Sequence, residues 1–295
     1  MKRFSFHGLT AAVFLAVAAS FNVFAQDQAT ASATDTNAAA ADPAFEDVAD
    51  VPWLPNVLLI GDSISMGYTP DVRAKLADRA NVHHPAENCG ATERGLEKLD
   101  AWLGTNHWDV IHFNFGLHDL KYLDAQGKYT DPENGRQVAA PDVYGQNLRM
   151  ITLRLQKTGA KLIFATTTPV PPGALGRVAG DELHYNDMAK AVMTELNVAV
   201  DDLGGYVAAQ QLKLPPRPAS EAPPAGEKAK ARPGEIQQPF NVHFTPEGYD
   251  QLSDMVVTNI LRVLPPVKPH TPPPPPKKPG VKDGVPPPPP DAFHT

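Results

Sequence analysis

Short runs of apolar residues alternate along the chain with stretches in which apolar residues recur every three or four positions. A short apolar run between turn residues is typical of a strand buried on both faces, and the wider spacing is typical of an amphipathic helix. Strands that alternate with helices predict an α/β fold, with a five-stranded parallel sheet covered on both sides. The predicted strands are 53–60, 82–85, 109–113, 161–166 and 198–203, and the predicted helices are 71–80, 92–103, 141–155, 185–196 and 245–263.

Glycines and polar residues follow three of the predicted strands. Ser63 comes directly after the first strand, Gly90 lies in the loop after the second, and His118 lies after the third. Right-handed crossovers bring the carboxyl ends of parallel strands to one edge of the sheet, where open α/β folds bind ligands. Ser63 is therefore a candidate nucleophile, with the alternative that it only caps the helix that follows.

The first 25 residues have the pattern of a secretory signal peptide. Lys2 and Arg3 precede an apolar run from about Leu9 to Phe24, which is short for a membrane span. Val23 and Ala25 are the small residues expected before a cleavage site. We expect an exported, periplasmic or extracellular protein with no stable membrane insertion after cleavage, and a retained membrane anchor is the alternative.

Three other segments lack the pattern of a packed domain. Residues 26–50 carry few large apolar side chains and predict a disordered spacer. Residues 213–239 hold seven prolines and predict a flexible insertion within a domain that spans 51–264. Residues 265–295 hold 14 of the 32 prolines and predict a solvated tail with polyproline II character.

Composition and charge narrow the classes of function. The 295-residue chain has a formal net charge of −7 and no basic stripe, so we expect no nucleic-acid partner. Its one cysteine, Cys89, cannot form an internal disulfide and is expected to be a buried thiol rather than a nucleophile. His83 and His84 are neighbours on a predicted strand and point to opposite faces, so we expect no metal site there.

Cleavage of an ester by serine needs a hydroxyl, a base, a group that orients the base, and donors for the oxyanion. Ser63 supplies the hydroxyl. His243 precedes the last predicted helix, on a segment that can return to the sheet edge, and is a candidate base. The alternative is a structural histidine that caps this helix. The N–H of Gly90 and a side chain from the 116–119 loop can face the oxyanion.

Four short blocks of the sequence resemble those of the SGNH, or GDSL, hydrolases. The run Gly61-Asp62-Ser63 is similar to the first block, and Gly90 to the glycine of the second. Residues 116–119, Gly-Leu-His-Asp, stand in the place of the third block, which is usually Gly-x-Asn-Asp. Residues 242–249 resemble the last block, which carries the catalytic histidine. The blocks occur in the family's order, and the resemblance covers about residues 54–264.

The resemblance implies a flavodoxin-like α/β/α sandwich that works without a metal ion or an organic cofactor. It also implies Ser63 as the nucleophile and His243 as the general base. The backbone N–H groups of Ser63 and Gly90 would form part of the oxyanion hole. The family's third-block Asn is His118 here, and we expect a ring N–H of this histidine to replace the amide as an oxyanion donor.

A second departure concerns the group that orients the catalytic histidine. The family usually has Asp three residues before it, and this chain has Phe240 at that position. Asn241, a main-chain carbonyl, and Asp202 or its neighbour Asp201 remain as possible orienters of His243. With a non-acidic orienter the site is a Ser–His dyad.

Together these features predict an exported serine esterase that cleaves carboxylic esters through an acyl-enzyme. The first expectation for the substrate is an O-acetyl group on carbohydrate, and the second is a lipid or lysophospholipid ester. The expected partner is thus a small-molecule or polysaccharide ester, and the sequence does not predict an oligomeric state. The altered third block and the missing Asp favour, as the alternative, a catalytically inactive carbohydrate-binding protein on the same fold.

Overall fold

The computed structural model describes residues 42–218, 221, 223 and 229–267. The predicted signal peptide lies outside these residues, as do most of the predicted spacer, part of the insertion and nearly all of the tail. Within the described part, the chain opens with a short 3₁₀ helix at Pro43–Phe45, inside the segment predicted to be a spacer.

The described strands form one five-stranded sheet and one small antiparallel pair. The strands are β1 (Asn56–Ile60), β2 (Asn81–His83), β3 (Val110–Phe113), β4 (Tyr122–Leu123), β5 (Arg136–Gln137), β6 (Lys161–Ala165) and β7 (Ala199–Asp201). The sheet has the order β2-β1-β3-β6-β7 with every pair parallel, and β4 pairs with β5. This order is that of the flavodoxin-like doubly wound folds.

Helices cover the sheet on both faces. They are α1 (Ser63–Lys75), α2 (Thr92–Leu103), α3 (Pro141–Gln156), α4 (Asp181–Glu195), α5 (Leu203–Gln211) and α6 (Pro246–Val263). Helices α1 and α6 pack against each other, and α2, α3 and α4 pack in series on the opposite face. The predicted α/β/α architecture with a five-stranded parallel sheet is confirmed.

The sheet interior explains why its strands read as apolar runs. All four residues of β3 are buried, as are the last four of β1. Phe113 and Phe164 of neighbouring strands meet edge to face, with ring centroids 5.4 Å apart. Burial on both faces favours continuous apolar sequence over alternation, because neither side of the strand meets water.

One polar pair interrupts this core. His112 in β3 and Asp201 at the end of β7 are fully buried, with Nε2 of the histidine 3.1 Å from a carboxylate oxygen. The ring of Tyr68 packs edge-on against His112. Asp201 thus lies at the carboxyl end of an outer strand, but its carboxylate faces His112 in the core.

Three local elements differ from the sequence prediction. Helix α1 begins at Ser63 rather than at residue 71 and contains Pro70, a residue that usually disfavours a helix interior. Helix α5 was absent from the prediction, since its Gly204-Gly205 start weakens the helical pattern. The 121–140 segment, for which the sequence predicts neither a strand nor a helix, contains the β4–β5 pair.

Among the described helices, none combines the length and the apolar character that crossing a bilayer requires. In the same residues no group of three His, Cys, Asp or Glu side chains is placed to hold a metal ion.

Candidate active site

Ser63 is the first residue of α1, and the turn that leads into it is tightly packed. The carboxylate of Asp62 caps the helix by accepting the backbone N–H of Ile64 at 3.0 Å. A Cβ added at Gly61 would lie 2.6 Å from Ser65 Cβ, so the turn needs a glycine. The cap is therefore Asp62, and the half-buried Ser63 presents its hydroxyl at the positive end of a helix dipole.

Ser63, His243 and Asn241 form a continuous line of hydrogen bonds. Ser63 Oγ lies 2.9 Å from His243 Nε2, although the two residues are 180 positions apart in the chain. On the other side of the ring, His243 Nδ1 lies 2.7 Å from Asn241 Oδ1. A hydroxyl, an imidazole and an orienting oxygen thus stand in the order that nucleophilic catalysis by serine requires.

The backbone determines which end of the Asn241 amide faces the imidazole. The backbone N–H of His243 donates to the same Oδ1 at 3.0 Å, so this atom must be the amide oxygen and not the nitrogen. The oxygen then accepts the proton of His243 Nδ1, which leaves Nε2 unprotonated and able to accept from Ser63. The neutral amide therefore holds the tautomer that a general base needs.

Hydrogen bonds made by residues before and after His243 hold the loop that carries it. Gln238 donates its backbone N–H to the carbonyl of His243 at 2.9 Å and its side-chain amide to the carbonyl of Phe244 at 3.0 Å. Thr245 then caps α6 by accepting the N–H of Gly248 at 3.1 Å. His243 is thus not the cap of this helix.

Of the orienters that the sequence left open, Asn241 is the one that the structure brings to the imidazole. Asp202 is engaged elsewhere: it caps α5, accepts from Thr166 Oγ1 at 2.9 Å and pairs with Lys190 at 3.2 Å. Asp201 is buried with His112. Phe240 adopts a left-handed backbone with φ of 58°, which lets the chain turn directly before Asn241.

Gly90 lies in the loop between β2 and α2, at the same edge of the sheet as Ser63. It also has a left-handed backbone, with φ of 64°, which favours glycine. Its N–H donates to Asn88 Oδ1 at 2.9 Å. The donor that the sequence assigned to the oxyanion is thus already hydrogen-bonded in this structure, which sequence reasoning did not foresee.

His118 lies in a tight turn that follows β3. The N–H groups of Asp119 and Leu120 both donate to the carbonyl of Gly116, at 2.9 and 3.0 Å. A Cβ added at Gly116 would lie 2.0 Å from Thr167 Oγ1, so the turn depends on glycine. His118 is buried, and its Nδ1 lies 3.9 Å from the position that a Cβ on Gly90 would take. The turn therefore brings His118 next to Gly90.

Two further contacts of this turn were missed from the sequence. The ammonium of Lys121 lies 3.3 Å from His118 Nδ1. One carboxylate oxygen of Asp119 accepts both the N–H and the hydroxyl of Thr92, at 2.9 and 2.5 Å, and so ties the turn to the start of α2. Burial raises the pKa of Asp119 to about 7, although the bonds from Thr92 oppose this shift.

A small cavity lies inside the first turns of α1, and its lining includes neither Ser63 nor His243. Its volume is about 10 Å³, which is room for roughly one water-sized group. Apolar and polar side chains line it in similar number: Ile64, Leu117, Leu203 and Tyr68, with Ser65, Asn114, Thr166 and Thr168.

Two other nucleophilic or titratable groups near the site are inert in this arrangement. Burial raises the pKa of the Cys89 thiol, which is fully buried and so stays protonated. His84 donates from Nδ1 to the carbonyl of Pro85 at 2.7 Å and faces Ser65 Oγ at 3.1 Å. Burial lowers the pKa of His84 to about 4, so this second serine–histidine pair is a neutral contact within the core.

A family model described as the GDSL-like lipase/acylhydrolase family matches residues 59–251, more than half of the chain. The chain belongs to this family. It is accordingly a carboxylic ester hydrolase, and the resemblance carried by the four sequence blocks is confirmed. The matched segment holds Ser63, Gly90, His118 and His243. No curated protein matches the chain in sequence.

Several solved structures share the fold at low sequence identity. The acetyl xylan esterase AlAXEase is 16% identical, with a TM-score of 0.53, over 70% of this chain and 99% of that one. A lipase/acylhydrolase from Enterococcus faecalis is 19% identical, with a TM-score of 0.54, over 72% and 98%. Axe2, an acetylxylan esterase from Geobacillus stearothermophilus, is 17% identical, with a TM-score of 0.51, over 70% and 94%. At these identities the likeness shows the fold.

Proposed function

We propose that the protein is an exported serine esterase in which Ser63 is the nucleophile and His243 is the general base. One observation carries this assignment: Ser63 Oγ lies 2.9 Å from His243 Nε2 while Asn241 holds the opposite ring nitrogen at 2.7 Å. A serine that only began a helix would not need a base whose tautomer is fixed by a hydrogen bond to the opposite ring nitrogen. Export is proposed from the pattern of the first 25 residues.

The first half of the reaction transfers the acyl group to the enzyme. His243 Nε2 takes the proton of Ser63 as Oγ attacks the ester carbonyl, and the electron pair of the carbonyl moves onto its oxygen. The imidazolium that forms is stabilised by Asn241 Oδ1, and then gives its proton to the departing alkoxide. An acyl-Ser63 ester and a free alcohol result.

The second half repeats these steps with water. His243 removes a proton from the water molecule, the resulting hydroxide attacks the acyl carbon, and Ser63 leaves with the proton as the acid is released. In both halves the developing oxyanion is stabilised by the N–H groups of Ser63 and Gly90 and by His118. The N–H of Gly90 must leave Asn88 Oδ1 before it can reach the oxyanion.

A short acyl group, and first of all acetyl on carbohydrate, is the proposed substrate class. Two structural neighbours are, by their names, acetylxylan esterases, which supports this proposal. A lipid or lysophospholipid ester is the second candidate, which the neighbouring lipase/acylhydrolase favours.

The proposal is tested by hydrolysis of nitrophenyl esters from acetyl to octanoyl, together with release of acetate from acetylated xylan. We expect kcat/KM to fall steeply with acyl length, and Ser63→Ala to abolish turnover of every ester. Ser253→Ala is the matched control, since it removes a buried serine hydroxyl beside Lys75, at the opposite end of α1. Turnover that survives in Ser63→Ala would remove this residue from its role, and a preference for octanoyl esters would favour the lipid substrate.

A further inference from the structure

We propose that Lys121 is a positioning residue for His118: by donating to Nδ1 it places the ring proton on Nε2 and so makes the histidine an oxyanion donor. This inference deepens the proposed function and rests on it. It assigns a role to a residue that lies outside the four sequence blocks.

The assignment follows from donor and acceptor chemistry. Lys121 Nζ lies 3.3 Å from His118 Nδ1. An ammonium group has three donors and no acceptor, so the ring nitrogen that faces it must accept. A neutral imidazole carries one proton, which then resides on Nε2. The Lys121 ammonium thus selects one of the two tautomers of His118.

The backbone holds both residues in this relation. Two N–H groups, those of Asp119 and Leu120, donate to Gly116 in the turn that carries His118. The carbonyl of Lys121 accepts the N–H of Val138 at 3.0 Å, where the chain returns from the β4–β5 pair. The side chains of His118 and Lys121 therefore meet because backbone hydrogen bonds fix both the turn that carries His118 and the hairpin that begins after Lys121.

The need for such a residue arises from the departure in the third block. An asparagine amide always carries donor hydrogens, whereas a neutral histidine donates from one nitrogen only. Without a neighbour that sets the tautomer, part of the His118 population would present an acceptor to a negatively charged oxygen. The Lys121 contact removes that population, and its positive charge also polarises the ring toward stronger donation.

A structural role for Lys121 is the competing explanation. Its ammonium lies 5.2 Å from the ring centroid of Tyr129, so the side chain also packs within the hairpin. A variant that only loosened the hairpin would lower activity whatever residue stands at 118. An effect through the tautomer would vanish when residue 118 is an amide.

The deciding experiment is a double-mutant cycle of Lys121→Met and His118→Asn, with nitrophenyl acetate as the substrate. We expect Lys121→Met to lower kcat roughly tenfold with little change in KM, since a hydrogen bond from a charged group contributes about one factor of ten or more. In the His118→Asn background the same change should alter kcat less than about twofold. Lys128→Met, which removes another lysine of the same hairpin, is the control. An equal loss in both backgrounds would overturn the proposal.

A spectroscopic readout keeps the inference testable apart from activity. Two-bond ¹⁵N–¹H correlations report which nitrogen of His118 carries the proton, and the His118→Asn variant identifies its signals. We expect protonated Nε2 and unprotonated Nδ1 in the wild-type protein, and a mixture of tautomers in Lys121→Met. Protonated Nδ1 in the wild type would overturn the inference. An enzyme without esterase activity, or one whose activity survives Ser63→Ala, would instead contradict the proposed function.

Discussion

The amide of Asn241 is the part of the site where a single substitution tests the role of His243 most clearly. It occupies the place where many serine hydrolases have a carboxylate, and it holds His243 through two hydrogen bonds, 2.7 Å to Nδ1 and 3.0 Å to the backbone N–H. Asn241→Asp keeps the shape and adds a negative charge. Asn241→Ala removes the acceptor altogether.

The structure gives the size of both effects. A unit charge about 4 Å from the imidazolium is worth about 4 kcal/mol at an effective dielectric constant of 20. Both residues are partly exposed, so solvent screening reduces this to roughly 1–2 kcal/mol. We therefore expect Asn241→Asp to raise kcat/KM roughly tenfold. Loss of both hydrogen bonds and of the tautomer preference should make Asn241→Ala roughly 10- to 100-fold slower than the wild type.

The assay is initial-rate hydrolysis of nitrophenyl acetate, with thermal unfolding measured on each variant to exclude loss of fold. Asn259→Ala is a matched control, because this amide likewise makes a main-chain hydrogen bond, donating to the carbonyl of Met255, but it lies far along α6. Activity of Asn241→Ala within about twofold of the wild type would refute the orienting role. An Asp variant slower than the Ala variant would refute the charge argument.

Three further variants test the oxyanion donors and the turn behind them. His118→Ala should lower kcat roughly 100- to 1,000-fold with the fold intact, and an unchanged kcat in the nitrophenyl acetate assay would exclude it as a donor. Asn88→Ala removes the acceptor that holds the N–H of Gly90 at 2.9 Å, so we expect kcat to rise up to about fivefold. A fall in kcat without loss of stability would show that Asn88 supports the loop instead. Burial raises the pKa of the Asp119 carboxyl from its unfolded value to about 7, so the native state keeps this proton at pH values where the unfolded chain has lost it. The stability of the protein should therefore fall as the pH rises from about 4 to 7. Urea unfolding at both ends of that range should show a weaker loss for Asp119→Asn, and an identical pH dependence would contradict the shift.

The spacing of apolar residues and the order of the predicted elements along the chain were enough to predict the sheet. The apolar runs of β1 and β3, and the last three residues of β6, are buried, and sequence pattern identifies such strands best. Helix α1 was predicted to start too late because Pro70 argues locally against a helix that the Asp62 cap and packing against α6 stabilise.

The site was predictable as a set of residue types and much less as a set of contacts. Ser63 and His243 could be proposed because strand ends and helix starts meet at one edge of the sheet. Whether Asn241 or Asp202 reaches the imidazole depends on the left-handed turn at Phe240, which β-carbon sterics disfavour and a sequence pattern does not reveal. Lys121 was overlooked because its contact with His118 depends on how the hairpin folds back.

As the proposed nucleophile, Ser63 carries the acyl group during turnover. Its most direct test is rapid acid quench of the enzyme with nitrophenyl acetate in the steady state, followed by peptide mass analysis. We expect one acetyl group on the peptide that contains Ser63, and its disappearance in Ser63→Ala. Steady turnover with an acetyl group on another residue would exclude Ser63 as the nucleophile.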